Sequence, residues 1–408
     1  MRILWVKAGK LLPVDSGGKI RSYNLLRHLA QKHPVTLLTY YGGSRDGNYE
    51  AAIEKEFCGT ITIHTSAPDG GLKQAVDYLR HLPHHAPYSV SKFTDLEVIR
   101  TVKRFFDEHR CDVAVCDFLS ASWNFPSHLS IPSVLFQHNV ESSLWERMAV
   151  TETNPVRKLA YKVEAGKMRR YEREALGRFQ HVIAVSDQDR DQMLAMEPTC
   201  DIAVVPTGVD TKQFAVSPPA GGNPPRVAFV GTMDWEPNID AAEYFCSEIW
   251  PRITNAYPGA QFQLIGRSPH SRVRRLASES ITVTGTVPSV MDFLRDATVV
   301  VVPLRVGGGT RLKIYEAMAM GKAVVSTTIG AEGLDVQSGR DLILADEAKA
   351  FADSVLALLR DAELRRRYEV AAAASASRFD WAKISEHFND ILLQISHLAA
   401  QQSPVVTS

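Results

Sequence analysis

The chain of 408 residues has no excess of either charge, with 46 Lys and Arg against 46 Asp and Glu. That balance gives no support to nucleic-acid binding, which calls for a basic surface. Long apolar runs are missing as well. The longest, Ala297–Pro303, falls far short of the ~18–20 residues that a membrane span needs. The cysteines (Cys58, Cys111, Cys116, Cys200, Cys246) are odd in number and none sits in a C-x-x-C pair. This argues against a disulfide framework and against structural zinc. The opening MRILWVKAGK has the basic start of a secretory signal, but Lys7 and Lys10 interrupt its apolar part, so a cytoplasmic enzyme is expected. No Asp-x-Asp pair is suitably placed after a strand to hold a divalent ion, so neither metal nor cofactor is expected.

What is present is a ladder of short β-branched runs alternating with helical stretches. In the first half the strands are expected at Arg2–Val6, Val35–Tyr40, Thr60–His64, Asp112–Cys116, Ser133–Phe136, His181–Val185 and Ile202–Val205. In the second half they are expected at Arg226–Val230, Gln261–Ile265, Ile281–Thr284, Thr298–Val302, Ala323–Ser326 and Asp341–Leu344. Most are continuous apolar runs, as in parallel strands covered on both faces. The pattern predicts an α/β fold of two doubly wound, Rossmann-like domains. Ser217–Arg226, SPPAGGNPPR, can be neither helix nor central strand and marks the break. The domains are therefore expected at 1–216 and 217–380. Residues 381–408 form a last helix and tail, expected to cross back to the first domain. Ligands of open α/β sheets sit beyond the carboxyl ends of the strands, so the informative residues should follow strands.

The clearest such place is Pro303–Gly321, PLRVGGGTRLKIYEAMAMG. A strand ends, Gly307, Gly308 and Gly309 follow, and a helix is expected from about Thr310 to Gly321. Glycines at a strand-to-helix turn let backbone N–H groups approach an anion, and the helix dipole favours negative charge there. Arg305, Arg311 and Lys313 add cations, while Glu316 shares a helix face with Lys313 and suits the vicinal hydroxyls of a ribose. A nucleoside diphosphate fits this set. A glycine turn beside a Glu316–Lys313 surface ion pair is the other reading. The loop matches neither the P-loop nor G-x-G-x-x-G, and Ser16-Gly17-Gly18-Lys19 after the first strand also lacks the dinucleotide fingerprint.

These residues carry a resemblance. The donor loop and its helix resemble those of the retaining, GT-B-fold family-4 glycosyltransferases, which have a Glu-x7-Glu motif there. Gly17-Gly18 resembles that family's N-terminal glycine loop, which contacts donor phosphates and acceptor. Val205-Pro206-Thr207-Gly208-Val209-Asp210 with Phe214 resembles its P-N-G-V-D-x-x-x-F signature, and His138-Asn139-Val140-Glu141 resembles its H-N-V-E variant. The resemblance covers about the whole chain. It implies a GT-B fold with two domains across a cleft and a nucleotide-sugar donor as substrate, with no cofactor. It also implies that His138 orients the sugar, beside the plainer reading of a structural histidine capping the helix that starts near Glu141, and that Arg311 and Lys313 stabilise the departing phosphate. Two departures stand out. Gly308 occupies the place of the first glutamate, and no Arg or Lys follows Gly231 where the family has a basic pair. The triple glycine resembles a subgroup from polysaccharide export gene clusters.

On the acceptor side, Asp117 ends a strand, where it reads equally as a contact for acceptor hydroxyls and as a turn or cap. Gly70–Phe93 reads as a loop facing the acceptor, and its His81, His84 and His85 lack a standard metal spacing. Asn154–Arg178 holds eight Lys or Arg against three Glu with apolar residues interleaved. It reads either as a peripheral contact with an anionic membrane near a lipid-linked acceptor or as a solvated helix covering the sheet. The expected function is hexosyl transfer from a nucleotide-diphosphate sugar to a saccharide or lipid-linked saccharide. A non-catalytic nucleotide-sugar-binding subunit and a nucleotide-sugar epimerase of the same fold remain open beside it.

Overall fold

The computed structural model describes residues 1–402 except 68–70, 82, 153, 217–223 and 307–310. It divides into two compact units, Met1–Pro206 with the chain from Ile384 onward, and Thr207–Lys383. The first unit is built on β1 (Ile3–Ala8), β2 (Val35–Tyr41), β3 (Ile61–His64), β4 (Val113–Asp117), β5 (Ser133–Phe136), β6 (His181–Ala184) and β7 (Ile202–Val204). They form one parallel sheet in the order β3-β2-β1-β4-β5-β6-β7. The second unit carries β8 (Arg226–Val230), β9 (Gln261–Ile265), β10 (Ile281–Val283), β11 (Val299–Val302), β12 (Ala323–Ser326) and β13 (Ile343–Leu344). Its sheet is also parallel, in the order β10-β9-β8-β11-β12-β13.

Both sheets follow from the apolar runs. β11 is four valines, all buried, because helices cover both faces of a parallel sheet and no side of the strand meets water. In each sheet the chain winds outward from a central strand in both directions. A crevice is thereby left between β1 and β4, and between β8 and β11, where neighbouring connections depart to opposite faces. Register then decides which side chains meet there. Lys7 of β1 lies directly beside Asp117 of β4, and Asp117 beside Phe136 of β5.

The boundary between the units falls after Pro206, ahead of the expected 216/217 position. Residues 207–216 are held by the end of the second unit. Val209 N donates to Phe379 O at 2.8 Å, and Thr211 bonds to the Asp380 carboxylate. A Cβ at Gly208 would stand 2.5 Å from the Trp381 ring. The proline- and glycine-rich stretch, which dominates the sequence here, lies largely outside the described residues. From Ile384, the helix Trp381–Gln402 belongs to the first unit. Phe388 is fully buried against Trp5 and Phe136, at ring separations of 5.7 and 5.2 Å. His33 and Asn389 share a 2.6 Å hydrogen bond.

The expected loop Gly70–Phe93 is in fact largely helical, with helices at Gly71–His81 and Tyr88–Ser91. Prolines and clustered histidines masked the helical spacing of Val76 and Leu79. Helix Pro155–Arg178 is half interior. From Glu164 onward it packs Met168, Tyr171, Ala175 and Leu176 inward. Glu172 of this helix is fully buried. It accepts hydrogen bonds from the backbone N–H groups of Glu141 (2.8 Å) and Ser142 (3.0 Å), which open helix Glu141–Thr151. A carboxylate there satisfies orphan donors and complements the helix dipole.

Candidate functional site

In the second unit the expected phosphate end is assembled at the carboxyl ends of β8 and β11. Gly307, Gly308, Gly309 and Thr310 lie outside the described residues. Beyond them Arg311 is buried at the cap of helix Leu312–Ala319, which stops at Gly321, a residue with φ of +69°. Lys313 points toward the β8 edge. Its Nζ donates to Asn238 Oδ1 at 2.9 Å and lies 4.7 Å over the Phe229 ring. Asn238 is fixed in turn, its Nδ2 donating to Thr232 O at 2.8 Å.

Glycine makes this approach possible. A Cβ at Gly231 would stand 2.8 Å from the Asn238 amide nitrogen and 3.0 Å from the Lys313 ammonium. One at Gly266 would collide with Gly231 O at 1.6 Å. The basic pair that the family resemblance places after this strand is absent, and the first turn of helix Glu236–Tyr244 delivers a neutral amide to Lys313 instead.

Burial, reinforced by Arg311 and opposed by Glu316, brings the Lys313 ammonium down to about 7. Burial likewise pushes the Glu316 carboxyl up to about 7, with Lys313 opposing. Both groups are half-desolvated and poised to change charge near neutrality, the condition in which a ligand's own charge has most effect. Lys313's hydrogen bond goes to Asn238, so the simple surface ion pair with Glu316 is not what forms. Arg305 is set apart from this group. Its Nε donates to Asp240 at 3.1 Å, and its guanidinium stacks 4.4 Å from the Tyr244 ring centre.

The first unit holds a different arrangement. Lys7 Nζ donates to Asp117 Oδ2 at 2.9 Å and to Ser22 Oγ at 3.1 Å, and Trp5 Nε1 donates to the same carboxylate oxygen at 3.0 Å. The other oxygen, Asp117 Oδ1, is 2.8 Å from His138 Nε2, while His138 Nδ1 is 2.8 Å from Arg21 Nη1. A guanidinium only donates, so Nδ1 accepts and the proton sits on Nε2, giving a neutral imidazole. Burial, with Arg21 and Lys7 adding to it, lowers the His138 pKa to about 3 against the pull of Asp117. Burial alone would raise the Asp117 carboxyl, but Lys7 and His138 outweigh it and hold it well below the usual range. Burial also brings Arg21 down to about 10.

This corrects two expectations. His138 is 2% exposed with both ring nitrogens engaged by protein, so it does not present a free nitrogen to a sugar. Asp117 is 0% exposed and bonded to Lys7, Trp5 and His138, so it does not offer itself to acceptor hydroxyls. The cause is register, which sets Asp117 against the lysine of β1. Gly18 makes room for this cluster. A Cβ there would stand 2.4 Å from the Phe118 ring, which stacks on His138 at 3.7 Å. Gly17 opens helix Gly17–Leu29, whose N-cap Ser16 makes no side-chain cap bond.

The spacing of residues overlooked Lys7, Arg21 and Asn238. A lysine inside the run ILWVKA was a usable signal, since a buried ammonium needs a carboxylate partner. Asn238 had none short of the fold. Among the described residues no group of three His, Cys, Asp or Glu could hold a metal. His81 bonds to Asp77 O at 2.8 Å, and His85 lies 3.6 Å from Glu174. Asp187 and Asp191, which follow β6, pair with Arg190.

The buried cluster makes the first unit sensitive to acid. Unfolded, His138 binds a proton near its ordinary 6.5; folded, it does so only near 3. The unfolded state therefore holds more protons in that window, and stability falls as pH drops, by up to about 1.4 kcal/mol per pH unit. Asp117 adds a loss of the same sign below its ordinary 3.8. Urea midpoints between pH 7 and 5 should fall less steeply for His138→Gln than for the parent. Equal slopes would contradict a buried neutral imidazole.

The fold has known counterparts. Sucrose-phosphate synthase from Thermosynechococcus elongatus matches with a TM-score of 0.70 at 16% identity, covering 97% of this chain and 99% of that one. Anabaena Alr3699/HepE, solved in complex with UDP and glucose, matches with a TM-score of 0.65 at 15% identity, over 97% and 100%. In sequence, the phosphatidyl-myo-inositol mannosyltransferase of Mycolicibacterium smegmatis is 30% identical over 250 residues, which is 58% of this chain and 62% of that protein. The match thus spans less than two thirds of the length of the curated relatives. Residues 16–213 fit the family described as Glycosyltransferase Family 4, and residues 224–361 the one described as Glycosyl transferases group 1. Glycosyltransferase families are thus matched in turn over both α/β units of a chain with the GT-B fold.

Proposed function

We propose that this protein transfers a hexosyl group from a nucleotide-diphosphate sugar to a saccharide or lipid-linked saccharide acceptor, with retention at the anomeric carbon, in the making of a surface polysaccharide. The observation that carries the reading is Lys313, a desolvated ammonium held by a neutral amide at a strand-to-helix turn, one helical turn from Glu316. A diphosphate supplies the negative charge that Lys313 and Arg311 call for, and a ribose supplies hydroxyl donors for Glu316.

In the reaction the bond between the anomeric carbon and the diphosphate oxygen breaks. The acceptor oxygen bonds to that carbon from the same face, and its proton passes to the departing diphosphate. The protein's part is positioning and charge stabilisation, with Lys313 and Arg311 bearing on the leaving group. Fixed cations then replace a divalent ion. The mannosyltransferase relatives favour a lipid-linked acceptor. The Lys7–Asp117–His138–Arg21 cluster serves as a positioning frame at the end of β1, β4 and β5.

A second reading, a subunit that binds the nucleotide sugar without catalysis, is favoured by Gly308, which lacks the carboxylate that holds the sugar in the family resemblance. One experiment separates them. The protein is incubated in EDTA with UDP-, GDP- and ADP-sugars, with and without a panel of saccharide acceptors, and free nucleoside diphosphate is measured. Release with at least one donor is expected. Lys313→Ala should weaken diphosphate binding by about 1.5–3 kcal/mol and slow release in step. Tight donor binding without hydrolysis or transfer gives the second reading, and unchanged diphosphate affinity in Lys313→Ala places the phosphates elsewhere.

Membrane contact through residues 154–178 forms part of the same proposal. No described helix is long and apolar enough to cross a bilayer. Val156 and Leu159 are 76% and 65% exposed, and Val163 is also exposed. They recur at helical spacing beside Arg157, Lys158 and Lys162. Apolar tips flanked by cations suit an anionic lipid surface. Vesicles containing phosphatidylglycerol should sediment with the parent and release Leu159→Glu, whereas neutral phosphatidylcholine vesicles should bind neither. Equal binding of both proteins to anionic vesicles would remove this contact.

A further inference from the structure

The chain leaves β4 through a residue whose backbone conformation resists its side chain. Phe118, the first residue after β4, has φ of +74° and ψ of 149°. In that region a Cβ is strained and glycine is at ease. The position is nonetheless a phenylalanine, and the backbone is pinned on both sides. Phe118 N donates to Phe136 O at 3.1 Å, and Phe118 O accepts from Ala121 N at 3.1 Å at the start of the short helix Leu119–Asn124. A strained residue persists where its surroundings over-determine it, and here the ring is what those surroundings hold.

The Phe118 ring lies on the imidazole of His138, with centres 3.7 Å apart and planes 15° from parallel. Phe136, fully buried, also packs on the imidazole, at 4.3 Å. Phe118 itself is half-buried, so it is the outer of the two rings that enclose His138. The charged groups facing the imidazole are Asp117 from β4, Lys7 from β1 and Arg21 from helix Gly17–Leu29. Lys7 Nζ lies 4.7 Å from the centre of the Phe118 ring as well. The ring tip bears on the glycine turn, where a Cβ at Gly18 would stand 2.4 Å from Phe118 Cζ. That turn opens the helix that brings Arg21 to His138 at 2.8 Å and Ser22 to Lys7 at 3.1 Å. One side chain therefore touches the imidazole, the ammonium and the turn that places their partners.

Water reaching this set would relieve the desolvation that keeps the imidazole neutral. A proton on Nδ1 would then break the hydrogen bond that Arg21 donates to it. An apolar ring laid over the imidazole prevents both, which is reason to keep a phenylalanine where the backbone favours glycine.

We propose that Phe118 is a positioning residue of the transfer reaction, a ring that seals the Lys7–Asp117–His138–Arg21 frame from water and braces the Gly17–Gly18 turn against it. Its part in catalysis rests on the transferase reading, whereas the seal is tested without it. The full chain is labelled with ¹⁵N-histidine, and the His138 signals are identified by their loss in His138→Gln. In the parent the imidazole should stay neutral, protonated on Nε2, from pH 7.5 to 5.5, and its Nε2 proton should exchange slowly enough to be observed. Phe118→Gly, which frees the backbone and removes the ring, should bring the titration midpoint up toward the ordinary value of about 6.5. Phe118→Leu, which keeps an apolar cover, should hold the neutral form. Release of nucleoside diphosphate by Phe118→Gly, relative to the parent, should then fall by about fivefold or more from pH 7.5 to 5.5, as a newly titrating imidazole requires. For Phe118→Leu that ratio should not change with pH. A parent imidazole that titrates in the ordinary range, an Nε2 proton lost to fast exchange, or an unchanged imidazole in Phe118→Gly overturns the seal. An exposed imidazole in Phe118→Gly with the parent's pH profile of release overturns the part in the reaction. A sealed imidazole in a parent that releases diphosphate from no donor leaves the seal standing and removes the transferase reading.

Discussion

A half-buried ammonium is the constraint on which the second unit turns. Lys313 is drawn out of water beside Phe229 and tied to the Asn238 amide, and burial lowers its hold on a proton. Moving a charge out of water costs free energy that a neutral amide recovers only in part. That cost is tolerable because the surrounding backbone is set by parallel strands and by glycines at positions 231 and 266, where any side chain would collide. In the proposed function a ligand with its own negative charge would complete what the protein leaves incomplete.

The first unit solves the same problem in the opposite way. Lys7, near the end of a central strand, is fully drawn out of water, but register gives it the Asp117 carboxylate, and Asp117 then engages His138 and Trp5. With Arg21 on the far side of the imidazole, the set is closed by its own members. One sheet therefore carries a satisfied cation that stiffens its carboxyl edge, and the other a poised cation beside the Asn238 amide. The contrast explains why the nucleotide is assigned to the second unit, while the histidine given a role at the sugar becomes part of a frame.

Every one of the expected strands is present to within two residues at each end, because continuous β-branched runs leave little choice in a doubly wound α/β chain. The donor helix was equally legible from its glycines and cations. Side-chain direction was not. His138 follows β5 as expected, yet whether it faces ligand or protein depends on Arg21 and Asp117, which reach it from elements distant in sequence. Asn238 meets Lys313 across 75 positions of chain, a contact that only the winding of the sheet creates. The unit boundary falls ahead of the proline- and glycine-rich stretch because the packing of Gly208 against Trp381, which composition does not show, decides which body a segment joins.

The poised state of Lys313 gives the most direct test. Free, its ammonium titrates near 7, and a bound diphosphate must raise that value by favouring the charged form. At pH 8 the free group is therefore mostly neutral, and binding should draw about one proton from solution. Calorimetric titration of UDP and GDP at pH 8 in buffers of different ionisation enthalpy counts that proton. The account predicts uptake by the parent and its loss in Lys313→Met. Binding without proton uptake, or uptake unchanged in Lys313→Met, would contradict it.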